Sequence, residues 1–218
     1  VVNISGITRV TWIGSYGEMT AFDTGPGNAA IDEWVRKHGG MHMDYNGKLA
    51  ITGKVNEQIV ATMMRHKYFA KYPPKSTNRS EFVEKLEHLE GLSLEDGAAT
   101  ATAFVTESIA YSLLLYLPEI PKILIVCGGG AKSPLWRKIV ANILALPVVR
   151  PVCEEGPGFG AAILSTVGCG QYASVKDAVN DLVHFQTKEE PDPSLVALYR
   201  EKYENFKEFY PALKGLKY

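Results

Sequence analysis

Residues 1–38 read VVNISGITRVTWIGSYGEMTAFDTGPGNAAIDEWVRKH, and this stretch decides the fold. Its β-branched and apolar residues alternate with polar ones between glycine-containing turns, which predicts three short strands, Val1–Ile7, Thr8–Gly14 and Met19–Phe22. Strands this close in sequence favour an antiparallel meander. The apolar residues of Asn28–His38 then fall on one face of a helix. The stretch therefore predicts a β-β-β-α unit.

Strands and helices alternate again in the second half of the chain. Ser93-Leu94-Glu95-Asp96 is a capping-box signature, and it opens a predicted apolar helix that runs to Leu117. Lys122–Cys127 is a continuous apolar run, which suits a strand buried on both faces. A helix, a strand and a helix are then predicted at Leu135–Leu146, Val148–Pro151 and Ala161–Val167. The order of elements indicates an α/β domain with a mixed sheet.

Two segments lie outside this alternation. Residues 36–95 are less regular but mostly helical in pattern, which predicts an insertion into the core. The tail from Ser174 predicts two more helices, the last of them Pro193–Tyr210 with its apolar side docked on the core. We therefore expect a single lobe over residues 1–218 with four parts, namely the meander and first helix (1–35), the insertion (36–95), the second half of the core (96–170) and the C-terminal helices (171–218).

Composition excludes several classes of protein. The chain has 218 residues, of which 46% are hydrophobic and 22% charged, a profile typical of globular proteins and not of disordered or collagen-like ones. The formal net charge of −1 provides no broad field for nucleic acid or an anionic membrane. No apolar run reaches about 18 residues, so we expect no transmembrane helix. Neither nucleic acid nor a membrane is therefore an expected partner.

Cysteine and histidine usage indicates a reducing compartment and no metal site. The three cysteines, Cys127, Cys153 and Cys169, are odd in number and widely spaced, which argues against a disulfide framework or a zinc site. The five histidines show no ligand spacing. We expect a cytoplasmic location. The chain starts directly on a strand-like run without an initiator Met or a leader, which is typical of a trimmed domain or a fragment.

Glycine-rich turns interrupt the strands at Asn3–Gly6, Asp23–Asn28, Gly128–Gly130 and Gly156–Gly160. Glycine lets the backbone approach a ligand closely, and a following helix offers unpaired N–H groups to an anion. Phosphate and nucleotide sites commonly form in the position that Gly128–Gly130 takes, between an apolar strand and a capped helix. The sequence there is neither a Walker A loop nor G-x-G-x-x-G, and a plain strand–helix turn is the alternative.

Three further motifs each leave alternatives open. Phe22-Asp23-Thr24-Gly25 is compatible with an aspartic protease that pairs two carboxylates across a dimer, although the helical content of the chain argues against it. Glu154-Glu155 is either an acid, base or metal-ligand pair or a solvated acidic pair. Lys75-Ser76-Thr77 is either a ligand-binding loop or a plain polar loop.

The first half of the chain resembles a known family. Four blocks carry the resemblance, namely Asn3-Ile4-Ser5-Gly6-Ile7-Thr8, Phe22-Asp23-Thr24-Gly25-Pro26-Gly27-Asn28, Asp32-x-Trp34 and Pro74-Lys75-Ser76-Thr77-Asn78-Arg79-Ser80-Glu81-Phe82. They look like the second lobe of anhydro-N-acetylmuramic acid kinase, and the resemblance runs from the N-terminus to about residue 126.

From about residue 128 the chain resembles a second family. The blocks are Gly128-Gly129-Gly130-Ala131-Lys132-Ser133-Pro134-Leu135-Trp136-Arg137, Leu146-Pro147-Val148, Glu154-Glu155-Gly156-Pro157-x-x-Gly160-Ala161-Ala162-Ile163-Leu164 and Tyr210-Pro211-Ala212-Leu213. They look like the C-terminal lobe of a xylulokinase, one of the FGGY carbohydrate kinases. The two resemblances imply a chimera joined near residues 118–128, either engineered or a natural hybrid.

Both families belong to the actin/hexokinase/sugar-kinase ATPase superfamily, so the resemblance implies a ribonuclease-H-like lobe of order β-β-β-α-β-α-β-α. In such kinases ATP lies between two lobes. The resemblance places Asn3, Ser5, Gly6 and Thr8 in a phosphate-contacting turn and Gly128, Gly129, Gly130, Ala131 and Lys132 in an adenosine-contacting motif. It makes Asp23, Asn28, Lys75, Ser76 and Thr77 candidates for contacts with the sugar, the nucleotide or a metal-bound water. The implied ligands are ATP or ADP with Mg²⁺.

The resemblance also implies what one lobe lacks. The first lobe of these kinases carries another phosphate loop and the catalytic aspartate, so this chain is expected to bind nucleotide weakly and to turn over no sugar by itself. Two alternatives are a folded scaffold without a ligand and a kinase that becomes active with a complementing lobe. The face that would meet a first lobe is a candidate for self-association.

Overall fold

A six-stranded mixed sheet runs through the part of the chain that the computed structural model describes, which is residues 1–201 and 204 apart from the side chain of Thr187. The strands are β1 (Val2–Ile4), β2 (Ile7–Ile13), β3 (Met19–Pro26), β4 (Leu124–Cys127), β5 (Val148–Pro151) and β6 (Phe185–Glu189). Their order across the sheet is β3-β2-β1-β4-β5-β6. The α/β fold class with a mixed sheet is confirmed.

The predicted antiparallel meander forms β1, β2 and β3. β1 is shorter than predicted because Ser5 and Gly6 turn away from the sheet, and their carbonyls accept hydrogen bonds from the N–H groups of Asn28 and Gly27. β3 is longer than predicted and continues to Pro26, since Gly25 pairs with Thr8 on β2. The block from Asp23 to Pro26 is therefore strand and not turn.

Three parallel strands form the centre of the sheet. β4 pairs in parallel with both β1 and β5. The carboxyl ends of these strands consequently meet at one edge, where ligands of open α/β sheets usually bind. Val2, Leu124 and Val148 share one face of the sheet and are buried, whereas Ile125 and Cys127 on the other face of β4 are half-buried, so the expectation of a strand fully buried on both faces holds for one face only.

Seven α-helices with bounds within the described residues surround the sheet. They are α1 (Asn28–Gly39), α2 (Glu57–Met63), α3 (Ser80–Val83), α4 (Leu94–Tyr116), α5 (Pro134–Leu144), α6 (Gly156–Gly168) and α7 (Val175–Leu182). Short 3₁₀ segments lie at Tyr45–Gly47, Glu84–Leu89 and Gly130–Lys132. The predicted caps are confirmed, because the Ser93 and Ser133 side chains accept hydrogen bonds from the N–H groups of Asp96 and Trp136.

The long helix α4 is the central helix of the core. By length and composition it is apolar enough to cross a membrane, but 72% of its most apolar window is buried inside the fold. α1 packs directly on it, and the Trp34 indole N–H donates to the Leu94 carbonyl at 3.0 Å. A Cβ at Gly97 would lie 2.1 Å from the Trp34 ring, so only glycine allows this close approach. α4 is thus a core helix.

The segment between α1 and α4 is a helical insertion, as predicted. It contains α2, α3 and two of the 3₁₀ segments. Tyr68, Phe69 and Phe82 from this segment form an aromatic cluster with Phe104 of α4. The insertion therefore shares the core of the lobe.

The C-terminal part departs from the prediction in two places. Gly156–Gly160 is the first turn of α6 and not a separate turn, because Pro157 is compatible with a first helical turn. A Cβ built at Gly156, Gly158 or Gly160 meets no atom of the described residues, so no close approach requires glycine there. The tail was expected to contain two helices, but β6 lies between α7 and a helix that begins at residue 193. β6 is an exposed, mostly polar edge strand, so its sequence has no apolar periodicity that would reveal it. Residues 202, 203 and 205–218 of the predicted last helix and tail lie outside the described residues.

Candidate functional site

The turn after β1 and the turn after β4 meet at the carboxyl edge of the sheet. Gly128 has a φ of +84°, and a Cβ there would lie 2.4 Å from Asn3 Oδ1 and 2.6 Å from the Ile4 carbonyl oxygen. A Cβ at Gly130 would lie 2.4 Å from the Ile4 side chain. The glycines are required here because the two backbones pass so closely.

The start of α1 closes the third side of this edge. The backbone N–H of Asn28 donates to the Ser5 carbonyl at 2.7 Å, and its side-chain amide reaches the Ile4 carbonyl at 3.5 Å. The same amide is the nearest group to a Cβ built at Gly129, at 3.3 Å. We call this group, Asn3, Ser5, Gly6, Asn28 and Gly128–Lys132, the glycine edge.

The glycine edge presents both exposed backbone and an unused acceptor. Ser5, Gly129 and Lys132 are exposed. The Asn3 Oδ1 atom is buried and has no hydrogen-bond partner, which is rare for a buried polar atom. Asn3 thus points its polar end at Gly128, inside the glycine edge.

The side chains that follow the glycine turn form ion pairs. Lys132 Nζ lies 2.7 Å from Glu154 Oε2, and Glu154 also pairs with Arg150. Glu154 is therefore engaged by two cations, and the expectation of an acid or base at Glu154-Glu155 gains no support from the geometry. Among the residues described, no group of three or more His, Cys, Asp or Glu side chains is arranged to hold a metal ion.

Asp23 lies in a second cluster, on β3. Its side chain is 2% exposed; Oδ1 accepts from Arg9 Nε at 2.8 Å and Oδ2 accepts from the Thr77 N–H at 3.0 Å. Its backbone N–H donates to the Lys75 carbonyl at 3.1 Å, and its carbonyl accepts from the Tyr68 hydroxyl at 2.7 Å. The ion pair raises the pKa of Arg9. Both carboxylate oxygens are engaged within the chain, which disfavours the aspartic-protease alternative.

Lys75 is buried beside Asp23. It is 8% exposed, and its ammonium lies 4.2 Å from the ring centre of Tyr116 and 4.8 Å from that of Tyr68, without a hydrogen-bond partner. Burial, with a smaller effect of Lys71, lowers the pKa of Lys75 to about 8. We call Arg9, Asp23, Lys75 and Thr77 the Asp23 clamp, because these residues fasten the 73–77 loop of the insertion to β3.

The structure therefore divides the sequence-predicted site residues into two groups. The glycine edge brings together Asn3, Ser5, Gly6 and Asn28 with Gly128, Gly129, Gly130, Ala131 and Lys132. Asp23, Lys75 and Thr77 belong to the clamp, and Ser76 beside them is exposed. Thr8 is fully buried on β2 with an unpartnered hydroxyl, away from the surface.

Two arginines of these clusters were not among the predicted site residues. Arg9 holds Asp23, and Arg137 of α5 donates to the carbonyl oxygens of Ala131 and Lys132 in the glycine edge. The signal for Arg137 was present, because it occupies the apolar face of α5 between Trp136 and Val140. A charged residue on such a face is buried only when its charge is paired.

A wide apolar groove of about 420 Å³ lies away from both clusters. It runs between α2, α4 and α5 and includes Tyr199 of the helix that begins at residue 193. That helix was predicted to dock on the core. Of its predicted apolar side the structure describes Leu195, which is exposed, and Tyr199, which lines the groove, so the docking stays a prediction. The lining is mostly apolar, with Glu57, Thr102, Thr106 and Glu107 as its polar members, and it contains no glycine turn of the kind found at the glycine edge.

Comparison of sequences identifies related proteins. A sequence model of the family described as "Anhydro-N-acetylmuramic acid kinase" matches residues 1–156. An anhydro-N-acetylmuramic acid kinase of Zymomonas mobilis is 44% identical over 149 residues, which cover 68% of this chain and 40% of the relative. The chain thus spans about two fifths of the length of the curated relatives it matches.

Solved structures share the fold. A ligand-bound xylulose kinase from Lactobacillus acidophilus matches 98% of this chain and 47% of its own with a TM-score of 0.66 and 14% identity. A glycerol kinase from Plasmodium falciparum solved with ADP matches all of this chain and 47% of its own, with a TM-score of 0.64 and 10% identity. At this identity the likeness concerns the fold alone, which is that of one sugar-kinase lobe.

Proposed function

The chain belongs to the anhydro-N-acetylmuramic acid kinase family, and on that premise we propose that it is the nucleotide-binding lobe of an ATP-dependent sugar kinase. The observation that carries the proposal is the glycine edge, where Gly128 passes within contact distance of Asn3 and Ile4 at the carboxyl ends of parallel strands. Such an edge exposes backbone N–H groups to a phosphorylated ligand.

Each side of the glycine edge has its own part in this proposal. Asn3, Ser5 and Gly6 are assigned to the phosphates, because the turn that holds them abuts the start of α1, where the helix dipole favours an anion. Gly128–Lys132 is assigned to the adenosine, since Gly129 is exposed and leaves its surface open to a flat ring. Thr8 supports the turn from inside. The nucleotide would be ATP or ADP, with Mg²⁺ held mainly by its phosphates.

Sugar phosphorylation requires more than this lobe in our proposal. Phosphoryl transfer depends on groups that position and neutralise the transferred phosphate from both sides. The chain spans about two fifths of its relatives' length, and the first lobe, with another phosphate loop and the catalytic aspartate, is assigned to the rest. Ser76 is exposed and remains a candidate for the sugar. The Asp23 carboxylate is occupied by Arg9 and the Thr77 N–H, and the Lys75 ammonium is buried against the rings of Tyr116 and Tyr68.

The predicted junction of two families stays a prediction. The family match runs through residues 118–128 to residue 156, so it gives no sign of a boundary there. The structural likeness to xylulose kinases, at 14% identity, supports a common fold and carries no argument about descent. A cytoplasmic location is also proposed, and the three free thiols, Cys127, Cys153 and Cys169, support it.

The test is calorimetric titration of ATP with Mg²⁺ into the chain and into two variants. Gly129→Ala places a methyl group on the exposed surface of the glycine edge, with only the Asn28 amide nearby at 3.3 Å. Gly158→Ala is the matched control, because a Cβ there meets no neighbour within the part of the chain that the structure describes. We expect saturable binding by the chain and by Gly158→Ala, and at least tenfold weaker binding by Gly129→Ala.

Absence of saturable ATP binding to a chain that unfolds cooperatively would overturn the proposal and favour the scaffold alternative. A second assay addresses turnover. We expect no sugar-dependent ADP release from this chain alone, and release well above the blank would show that the lobe needs no complement. Gel filtration of the same sample tests the predicted self-association of the face that would meet the other lobe.

A further inference from the structure

Arg137 carries a buried charge that the proposed nucleotide contacts do not use. It lies in the first half of α5, and its side chain is 6% exposed among apolar neighbours. Taking a guanidinium out of water is costly unless its donors are hydrogen-bonded. The question is therefore what the guanidinium holds in place.

One arm of Arg137 holds the glycine edge. Nη1 donates to the Ala131 carbonyl at 2.8 Å and to the Lys132 carbonyl at 3.2 Å. These residues form the 3₁₀ segment Gly130–Lys132, whose own hydrogen bonds from Ala131, Lys132 and Ser133 are 3.1–3.2 Å long. A single 3₁₀ turn is weakly held by itself. The guanidinium adds two charge-assisted bonds to a segment that otherwise relies on three neutral ones.

The other arm of Arg137 reaches the edge of the sheet. Nε and Nη2 lie 3.3 Å and 3.1 Å from Glu189 Oε1, and Glu189 is the last residue of β6, opposite Val148 of β5. A second contact reinforces the link, since the Asn142 side chain of α5 accepts from the Asp192 N–H at 2.8 Å. The planar fork of Arg137 thus joins β6 to the glycine edge.

We propose that Arg137, fixed by Glu189, is a positioning residue that sets the glycine edge for nucleotide binding, so that the edge strand β6 supports a site it does not touch. This inference rests on the proposed function. Buried ion pairs contribute little net stability as a rule, because desolvation offsets the attraction. The pair is better explained by the conformation that it imposes on the glycine edge. This explanation predicts that weakening the pair lowers the affinity for ATP.

The experiment measures ATP affinity and amide hydrogen exchange in the full chain and in four variants. Arg137→Lys keeps the charge but cannot span two carbonyls and a carboxylate, so we expect about tenfold weaker ATP binding. Glu189→Gln removes only the anchoring charge, and we expect about threefold weaker binding. Lys37→Met breaks the exposed pair between Lys37 of α1 and Glu90 of the insertion and is the control, with unchanged affinity.

Two measurements distinguish a positioning role of Arg137 at the glycine edge from a general contribution to the stability of the fold. Amides 130–133 are expected to exchange at least tenfold faster in Arg137→Lys while amides of α4 keep their protection. In Arg137→Ala, millimolar guanidinium, far below denaturing concentrations, is expected to restore ATP affinity and to leave the affinity of the unmodified chain unchanged.

Wild-type ATP affinity in both Arg137→Lys and Glu189→Gln overturns the inference. If the unmodified chain binds no ATP, the proposed function fails, and the exchange rates still decide whether Arg137 holds the turn. Unchanged protection of amides 130–133 then overturns the positioning role as well. If Arg137→Ala does not fold, Glu189→Gln supplies both readouts.

Discussion

The glycine edge and the Asp23 clamp both derive from motifs of one family, yet they are built in opposite ways. The glycine edge consists mainly of backbone and glycine, keeps Ser5, Gly129 and Lys132 exposed, and leaves the Asn3 amide oxygen without a partner. In the clamp, Asp23 is buried and both of its oxygens are used inside the chain. Exposed glycine backbone is typical of a ligand site, whereas a buried carboxylate with both oxygens hydrogen-bonded is typical of structural support.

This contrast gives a general rule for interpreting the two motifs. Two equally distinctive sequence blocks carry different tasks, and exposure separates them. Among the described residues each cluster contains a buried polar atom without a hydrogen-bond partner, Asn3 Oδ1 in the glycine edge and Lys75 Nζ in the clamp, but only the glycine edge is open backbone. Perturbing the glycine edge at its surface is expected to change binding more than stability. Perturbing the clamp is expected to change stability more than binding.

The largest effect is expected from Gly128→Val. Its φ of +84° is unfavourable for a β-branched residue, and the new Cβ would lie 2.4 Å from Asn3 Oδ1. We expect a loss of about 2–4 kcal/mol in the free energy of unfolding and no measurable ATP binding. Urea unfolding and calorimetry check both. Retention of wild-type stability would show that the close approach of the two turns is not required.

The next effect tests the clamp through Asp23→Asn. The substitution weakens the bond from Arg9 and the bond from the Thr77 N–H while it keeps the shape of the side chain. We expect about 1–3 kcal/mol lower stability by urea unfolding. ATP affinity is expected to change less than threefold. A large loss of affinity with intact stability would assign Asp23 to the ligand site instead.

Lys75 gives the clamp a dependence on pH. Burial lowers the pKa of Lys75 to about 8 in the folded chain, so above that pH the unfolded chain binds more protons and folding is stabilised as the pH rises. Burial raises the pKa of Tyr116 to about 12 and also raises that of Tyr68, and these groups reverse the trend only above about pH 10. The informative window is therefore pH 7–9.5.

Relative to Lys75→Met, the chain is expected to gain about 1–3 kcal/mol in the free energy of unfolding as the pH rises through this window. Attraction of the ammonium to the rings of Tyr116 and Tyr68 reduces the gain, because it favours the charged form. Urea unfolding at four pH values checks the slope. Parallel curves for the two proteins would mean that Lys75 keeps an ordinary pKa.

The smallest effect is expected at the rim of the glycine edge. Lys132→Met breaks an exposed pair with Glu154, and such pairs change stability by less than about 1 kcal/mol. Loss of one cation beside a nucleotide is expected to weaken ATP binding about threefold at low salt, with the difference vanishing at high salt. Calorimetry at two ionic strengths measures this. A salt-independent loss would point to packing and not to charge.

The core of the fold was predictable because its signals are local. β-branched alternation, the serine caps at Ser93 and Ser133 and the apolar run before Gly128 gave the element order and the caps. β6 escaped prediction because an exposed edge strand needs no apolar face. Its position is set by pairing with β5 and by the contact of Glu189 with Arg137, both of which are long-range.

The residues of the candidate site were predictable from the sequence, but their separation into the glycine edge and the Asp23 clamp was not. The motifs named the glycine edge and the clamp together, and nothing in their spacing shows that β3 continues to Pro26 and buries Asp23 there. Arg9 was missed because its partner Asp23 lies 14 residues away. The carbonyl partners of Arg137 are near it in sequence, but its anchor Glu189 lies 52 residues away on the unpredicted strand β6. Local sequence patterns say least about buried charged residues whose partners are far away in the sequence.

The most direct test follows amide chemical shifts of the ¹⁵N-labelled chain while ATP and Mg²⁺ are added. If the glycine edge is the nucleotide site and the clamp is structural, saturable shifts are expected at residues 3–6, 28 and 128–132. Amides of Asp23, Lys75 and Thr77 should move little. Saturable shifts centred on the clamp, or no saturable shifts in a folded chain, would contradict the account.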